Sequence, residues 1–178
     1  MTRHPARHTL TAIAALAAGL GACALADTPA SPGPEHAPSP ANFGASLDAV
    51  RPLLDAACTS LTVRELPLEQ MPIATTSHTQ VDCQGLDHAG APRLAEFVFA
   101  DDALAFVWVL TDAREADGLR AALETVHGTP SHDLPPVTAF TQARMALRHD
   151  TPELLYYGSH VAPVYEGWFN QMAAGGGQ

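Results

Sequence analysis

The chain has 178 residues and a formal net charge of −10, and none of its nine fixed cations is a lysine. The lack of lysine excludes Schiff-base and lysine-nucleophile chemistry. The acidic balance repels nucleic acid and anionic lipid headgroups, so we predict no nucleic-acid partner. The sequence contains no internal repeat that we can recognise.

The first residues are typical of an export signal. Arg3 and Arg7 precede the short apolar stretch "TLTAIAALAAGLGA". A membrane-spanning helix needs about 20 apolar residues, so this stretch indicates a signal peptide, which we place at residues 1–22. Its removal leaves seven arginines against nineteen acids, a formal charge of 7 − 19 = −12.

The end of the signal resembles the lipobox of bacterial lipoproteins through four residues, Leu20, Gly21, Ala22 and Cys23. The resemblance implies that Cys23 becomes the lipidated N-terminus and anchors the mature protein to a membrane. It also implies the periplasmic face of the outer membrane, because Ala24 stands where an aspartate marks inner-membrane retention. The alternative is cleavage after Ala26, which would release a soluble periplasmic or secreted protein.

The mature chain divides by composition into a tether, a domain and a tail. Residues 23–42 include five prolines and little apolar surface, which predicts an extended or disordered tether. Residues 43–172 are sufficient for one domain with a hydrophobic core. Residues 173–178, "AAGGGQ", predict a disordered tail.

The first predicted elements are a helix and two strands. Ser46 can cap a helix over "LDAVRPLLDAAC", although Pro52 disfavours the helix interior. The segment "LTVREL" (61–66) predicts a strand. The segment "TQVDCQG" (79–85) predicts a half-buried strand, because its apolar residues alternate with polar ones.

The segment 93–110 predicts a β-hairpin at the centre of the core. Two β-rich runs flank Asp101 and Asp102, a pair of acids that is typical of a tight turn. Alternation along the second run assigns its residues to two faces, with Leu104, Phe106 and Trp108 on one and Ala105, Val107 and Val109 on the other. Because both faces are apolar, we expect this strand to be covered on both sides.

A second helix begins at a capping box formed by Asp112 and Glu115, and Gly128 is its natural C-terminal cap. Two further strands are predicted over residues 143–148 and 153–158.

Pro163 can open a last helix that carries Val164, Trp168 and Met172 on one side. The whole pattern predicts a single α+β domain, with a mostly antiparallel sheet of about six strands and about three helices.

The cysteines predict a disulfide. Once Cys23 is lipidated or removed with the signal, Cys58 and Cys83 remain as an even pair in an exported chain, which favours a structural bond between them. A redox-active pair would more often have C-x-x-C spacing, which is absent.

The nine histidines suggest a metal site only weakly. Among the six histidines of the predicted domain, no two have the i, i+4 spacing of zinc proteases, and the best cluster is His127, His132 and Asp133. The letters "SHD" at 131–133 do not make a hydrolase triad, because adjacent side chains cannot form that relay. We therefore assign no catalytic residue and predict no cofactor.

An aromatic cluster near the C-terminus has two interpretations. Tyr157, Tyr165 and Phe169 can form an interaction patch, since aromatic residues are enriched at interfaces. The favoured interpretation is that they close the hydrophobic core.

These observations predict an envelope lipoprotein whose domain is non-catalytic and binds another envelope protein. The alternative is a periplasmic protein that binds a small ligand or a metal, with a pocket lined by His127 and His132. A third reading is an enzyme whose catalytic residues are scattered beyond recognition.

Overall fold

The structure is a computed structural model, and it describes residues 33–175. The helices are α1 (Leu47–Ala57), α2 (Ala116–His127) and α3 (Ala162–Gly175). The strands are β1 (Ser60–Glu65), β2 (His78–His88), β3 (Ala91–Ala100), β4 (Ala103–Leu110), β5 (His132–Leu134), β6 (Val137–Phe140), β7 (Met145–Arg148) and β8 (Glu153–Tyr157). The predicted signal peptide and Cys23 lie outside the described residues.

All eight strands form one antiparallel sheet in the order β1-β2-β3-β4-β8-β7-β6-β5. The α+β class and the three helices are therefore confirmed, but the prediction of about six strands is wrong. The sheet consists of two four-stranded meanders, β1–β4 and β5–β8, each of which starts at one edge of the sheet and is preceded by a helix, α1 or α2. The last strands of the two meanders, β4 and β8, pair with each other in the middle of the sheet. The two halves thus repeat one topology although their sequences show no repeat.

The two strands missing from the prediction are β5 and β6. They have three and four residues and are joined by Pro135 and Pro136. Strands of this length are too short to show alternation, and all four residues of β6 are buried, so no polar face marks its period.

The first helix forms as predicted, with the Ser46 side chain accepting a hydrogen bond from the amide of Ala49 at 3.3 Å. Pro52 lies inside the helix, which continues through it. An interior proline costs about 3 kcal/mol. Val50 and Leu54 are fully buried, and burial of two such side chains contributes about 1.5–3 kcal/mol each, enough to offset that cost.

The central hairpin forms as predicted, but a β-bulge changes which residues share a face. Val98 pairs with Phe106 and Phe99 pairs with Leu104, so Ala105 is the extra residue. Leu104 consequently packs with Val107 and Val109 in the core under α1 and α2. Ala105 and Phe106 both belong to the second core, which α3 covers.

The turn of this hairpin fastens two other segments. Asp101 and Asp102 both have positive φ, +52° and +60°, as in a type I′ turn. The Asp101 carboxylate accepts hydrogen bonds from the backbone and hydroxyl groups of Thr75 and Thr76. These bonds, the one from the Thr76 amide foremost, hold the pKa of Asp101 well below its usual range. Asp102 accepts from the first amide of α1, Leu47, at 3.0 Å.

The predicted disulfide between Cys58 and Cys83 is confirmed. It joins the residue after α1 to the middle of β2, with the two Cα atoms 5.4 Å apart. Cys83 is fully buried in the core beneath α1. The bond therefore ties the first helix to the sheet that it covers.

Part of the segment that we assigned to the tether lies against the fold. Pro38 and Pro40 are buried, and the carbonyl oxygen of Pro34 accepts a 2.6 Å hydrogen bond from the hydroxyl of Tyr156. Nε2 of His127 lies 3.0 Å from the carbonyl oxygen of Glu35. We call residues 33–45 the N-terminal strap; it packs on the same face of the sheet as α1 and α2.

None of the helices within residues 33–175 is long and apolar enough to cross a membrane. The last of them, α3, continues to Gly175, into the segment predicted as a tail.

Candidate functional site

The two faces of the sheet are covered unequally. On the first face lie α1, α2 and the N-terminal strap, while α3 is the one helix that the described residues place on the second face. Contacts of α3 run from Phe106 on β4, through Tyr157 on β8, to His132 on β5. Over the remaining strands the second face is covered only in part, by the loop 66–77 that joins β1 to β2.

A groove of about 430 Å³ lies between this loop and α3. Its floor is formed by five side chains of β2, β3 and β4, which are Gln80, Glu96, Val98, Phe106 and Trp108. Residues 66–73 form one wall, and Val164, Tyr165 and Trp168 form the other. We call this feature the α3 groove.

The aromatic side of α3 faces the second core. Phe169 is fully buried, and Tyr165 stacks on the fully buried Tyr157 with ring centroids 4.8 Å apart. The predicted interaction patch of Tyr157, Tyr165 and Phe169 is thus part of the core or in contact with it, as in the favoured interpretation. Val164 and Trp168, which the sequence pattern places on one side of the helix, are 51% and 38% exposed at the rim of the groove.

Both tryptophans of the chain, Trp108 and Trp168, line the α3 groove. Phe106 lies between Trp108 and Tyr165, with ring centroids 5.9 Å and 5.7 Å away in edge-to-face geometry. The groove therefore presents a connected aromatic surface, of the kind that supplies most of the binding energy at protein interfaces.

The loop wall of the groove is held in place before any ligand binds. Met71 is buried in the second core, and Nδ1 of His78 lies 3.1 Å from the carbonyl oxygen of Pro67. At the far end of the loop, Asp101 binds Thr75 and Thr76 as described above. A preformed wall lowers the entropic cost of binding.

Two carboxylates on the floor strands differ in their partners. Asp82 forms an ion pair with Arg64 and accepts a hydrogen bond from the side chain of Gln80 at 2.8 Å. Glu96 is half-buried, and in the sheet it lies between Asp82 on β2 and Trp108 on β4. Within residues 33–175, no hydrogen bond or ion pair reaches the Glu96 carboxylate.

Beside the groove, the half-buried Arg148 forms an ion pair with the buried Glu153. Nη1 of Arg148 lies 2.7 Å from Oε1 of Glu153, and the guanidinium lies 5.3 Å from the ring centroid of Trp108. Burial raises the pKa of Glu153 to about 7; the charge of Arg148 opposes this shift, and that of Glu96 adds to it. The neighbourhood of Trp108 thus holds two carboxylates and one cation.

The weak metal candidates do not come together. Nε2 of His132 lies 3.0 Å from Oδ1 of Asn170, and Asp133 accepts two 2.8 Å hydrogen bonds from Arg120, while His127 contacts the strap. His127 lines a second cavity of about 570 Å³, which His132 does not line. Across residues 33–175 no group of three or more His, Cys, Asp or Glu side chains is placed to hold a metal ion.

A buried polar cluster on the first face holds the strap rather than a ligand. Nε2 of the fully buried His88 lies 2.8 Å from the hydroxyl of Tyr156, which donates to Pro34. The hydroxyl therefore accepts from Nε2–H of neutral His88, and Nδ1 has no partner among the described residues. Burial, with a smaller contribution from Arg93, lowers the pKa of His88 to about 4.

Comparison with protein-family models, curated proteins and solved structures gives no match to this chain. The functional conclusion therefore rests on the geometry of the α3 groove. Sequence reasoning missed its key residues Glu96, Trp108 and Trp168. The signal for Glu96 was a single acid within the apolar run "LAEFVFA" (94–100), a position where burial of a charge requires a reason.

Proposed function

We propose that this chain is an exported, lipid-anchored protein whose α3 groove binds a segment of another envelope protein. The observation that carries the proposal is the groove itself, a preformed aromatic depression whose rim exposes Val164 and Trp168. Exposed apolar side chains clustered around a depression are typical of protein interaction sites.

A periplasmic small-ligand protein is the second candidate, because a volume of about 430 Å³ falls within the range of small-molecule sites. Such sites bury most of the ligand surface. The α3 groove is open to solvent along its rim, which favours a polypeptide segment that continues beyond the groove.

The proposed anchor is Cys23, on the strength of the lipobox resemblance. The N-terminal strap supports this arrangement, because it reaches the domain on the first face of the sheet. An anchor that precedes the strap leaves the α3 groove, on the opposite face, accessible to a partner.

Replacing Cys23 with serine is expected to move the protein from the membrane fraction to the soluble fraction, since the thioether to the lipid requires the cysteine sulfur. The measurement is fractionation of whole cells with and without high salt. The matched control is Ala26→Ser, which leaves the lipobox intact and should stay with the membrane. Retention of the Cys23→Ser protein in the membrane fraction would contradict the anchor.

Photo-crosslinking in intact envelopes tests the groove. We expect p-benzoylphenylalanine at Val164 to form one discrete adduct with another protein, because Val164 lies at the rim of the groove. The same residue at Leu53, which is 49% exposed on α1 at the other face, is the matched control and should give no such adduct. Equal adducts from both positions, or none from Val164, would refute the groove as the binding site.

A further inference from the structure

We infer that the partner segment bound in the α3 groove carries a basic side chain, and that Glu96 recognises its charge. This inference rests on the proposed function, since it specifies the chemistry of the segment that the groove binds.

The first reason is the position of Glu96. It lies on the floor of an aromatic groove, half-buried between neighbouring strands, and no hydrogen bond or ion pair reaches its carboxylate from residues 33–175. Holding an unpaired carboxylate in partly apolar surroundings is costly, and a charge-assisted hydrogen bond removes that cost. A cationic group on the ligand supplies such a bond.

The second reason is that the nearby cations already have carboxylate partners. Arg64 is paired with Asp82, and Arg148 is paired with both Glu153 and Asp150. Burial is the main cause of the raised pKa of Glu153, and the nearby charge of Glu96 adds to it. The floor of the groove therefore has an excess of negative charge that a ligand cation would neutralise.

The third reason is the aromatic lining. A guanidinium or ammonium group bound to Glu96 would lie near Trp108, its cross-strand neighbour, and Trp168 lines the same groove. Cations bind favourably over indole rings. Arg148 already adopts this geometry, 5.3 Å from the Trp108 centroid.

Charge complementarity also selects among possible occupants. A second copy of the mature chain, with a formal charge of −12, is repelled, as is an anionic lipid surface. The occupant that fits is an apolar segment of a partner protein with an arginine or lysine among its apolar residues.

Two alkyl probes that differ only in charge test the inference on the purified protein. Octylguanidinium and octylurea have the same shape, and they are titrated below their micelle-forming concentrations. Tryptophan fluorescence is the readout, since both tryptophans lie in the groove. We expect octylguanidinium to bind about tenfold more tightly than octylurea, the contribution of one charge-assisted contact.

Glu96→Gln should abolish this preference and leave octylurea binding unchanged. The matched control is Asp117→Asn, which removes the same charge from an exposed site on α2 and should preserve the preference. Equal binding of both probes to the unmodified protein would overturn the role of Glu96 and leave the groove as a binding site. No fluorescence change with either probe would overturn the proposed function as well.

The adduct formed through Val164 supplies the second measurement. Mass spectrometry of its peptides should find an arginine or lysine within a few residues of the crosslinked position, and Glu96→Gln should lower the adduct yield about tenfold while Asp117→Asn does not. A crosslinked segment without a basic residue, or a yield that is independent of Glu96, would overturn the inference.

Discussion

Replacing Cys58 and Cys83 with alanine is expected to lower the free energy of unfolding by about 3.5 kcal/mol, the largest effect that we predict for a covalent change. The bond closes a loop between residues 25 apart in sequence, and the loss is the conformational entropy that the open chain regains. Urea unfolding followed by tryptophan fluorescence measures it. The m value, which is the dependence of the free energy of unfolding on urea concentration, should rise as well, because an unfolded chain without the bond exposes more surface.

The predicted loss in the free energy of unfolding arises in the unfolded state, so the folded variant should keep its binding properties, which serve as the control. Val50 and Leu54 still pack α1 onto the sheet without the bond, so the folded alanine variant should bind octylguanidinium as the unmodified protein does. Reduction of the unmodified protein should reproduce the instability, and reducing agent should leave the variant unchanged. A loss below about 1 kcal/mol would show that the bond does not constrain the unfolded chain as the loop length predicts.

Local signals in the sequence predicted the elements that depend on local chemistry. In the Ser46 cap and the Asp112–Glu115 capping box, side chains bond to backbone groups a few residues away. The turn at Asp101 instead uses a backbone conformation that its residue type favours. The disulfide followed from cysteine count and export alone. These features do not depend on how the sheet is assembled.

The orientation of α3 depends on tertiary packing, and the sequence pattern alone did not determine it. Its first turns carry apolar or aromatic residues on several sides, including Val164, Tyr165, Trp168 and Phe169, so periodicity does not select one buried face. The aromatic rings of Phe106 and Tyr157 select Tyr165 for the inner side. The α3 groove forms only because α3 packs in this orientation, which explains why the sequence analysis did not identify its residues.

The packing of the strap against the fold escaped the sequence analysis for a related reason. Proline-rich composition indicates that a segment has no regular hydrogen-bonded structure, but it does not indicate that the segment is solvated. The strap uses its backbone carbonyls as acceptors, from Tyr156 to Pro34 and from His127 to Glu35. Such contacts depend on partners more than 90 residues away in the chain, which local patterns cannot reveal.

Two buried titratable groups are expected to oppose each other in the dependence of stability on pH. The pKa of His88 is about 4 in the folded protein against an ordinary value of 6.5. Between these values the unfolded chain binds a proton that the folded protein does not, so the free energy of unfolding decreases as pH falls. The pKa of Glu153 is about 7 against 4.5, so the folded protein retains a proton that the unfolded chain releases, and stability decreases as pH rises.

The two contributions are each on the order of 3 kcal/mol across their full windows, and they cancel where the windows overlap, between about pH 4.5 and 6.5.

Glu153→Gln should leave only the His88 contribution, so this variant loses stability as pH falls through the overlap. His88→Gln keeps a donor for Tyr156 and should leave only the Glu153 contribution, so it loses stability as pH rises. Opposite slopes in the two variants, with a nearly flat profile in the unmodified protein, are the expected result of urea unfolding at several pH values. The exposed His160 is the control, and His160→Gln should keep the flat profile. Parallel profiles in all four proteins would mean that neither buried group changes its protonation in this range upon folding.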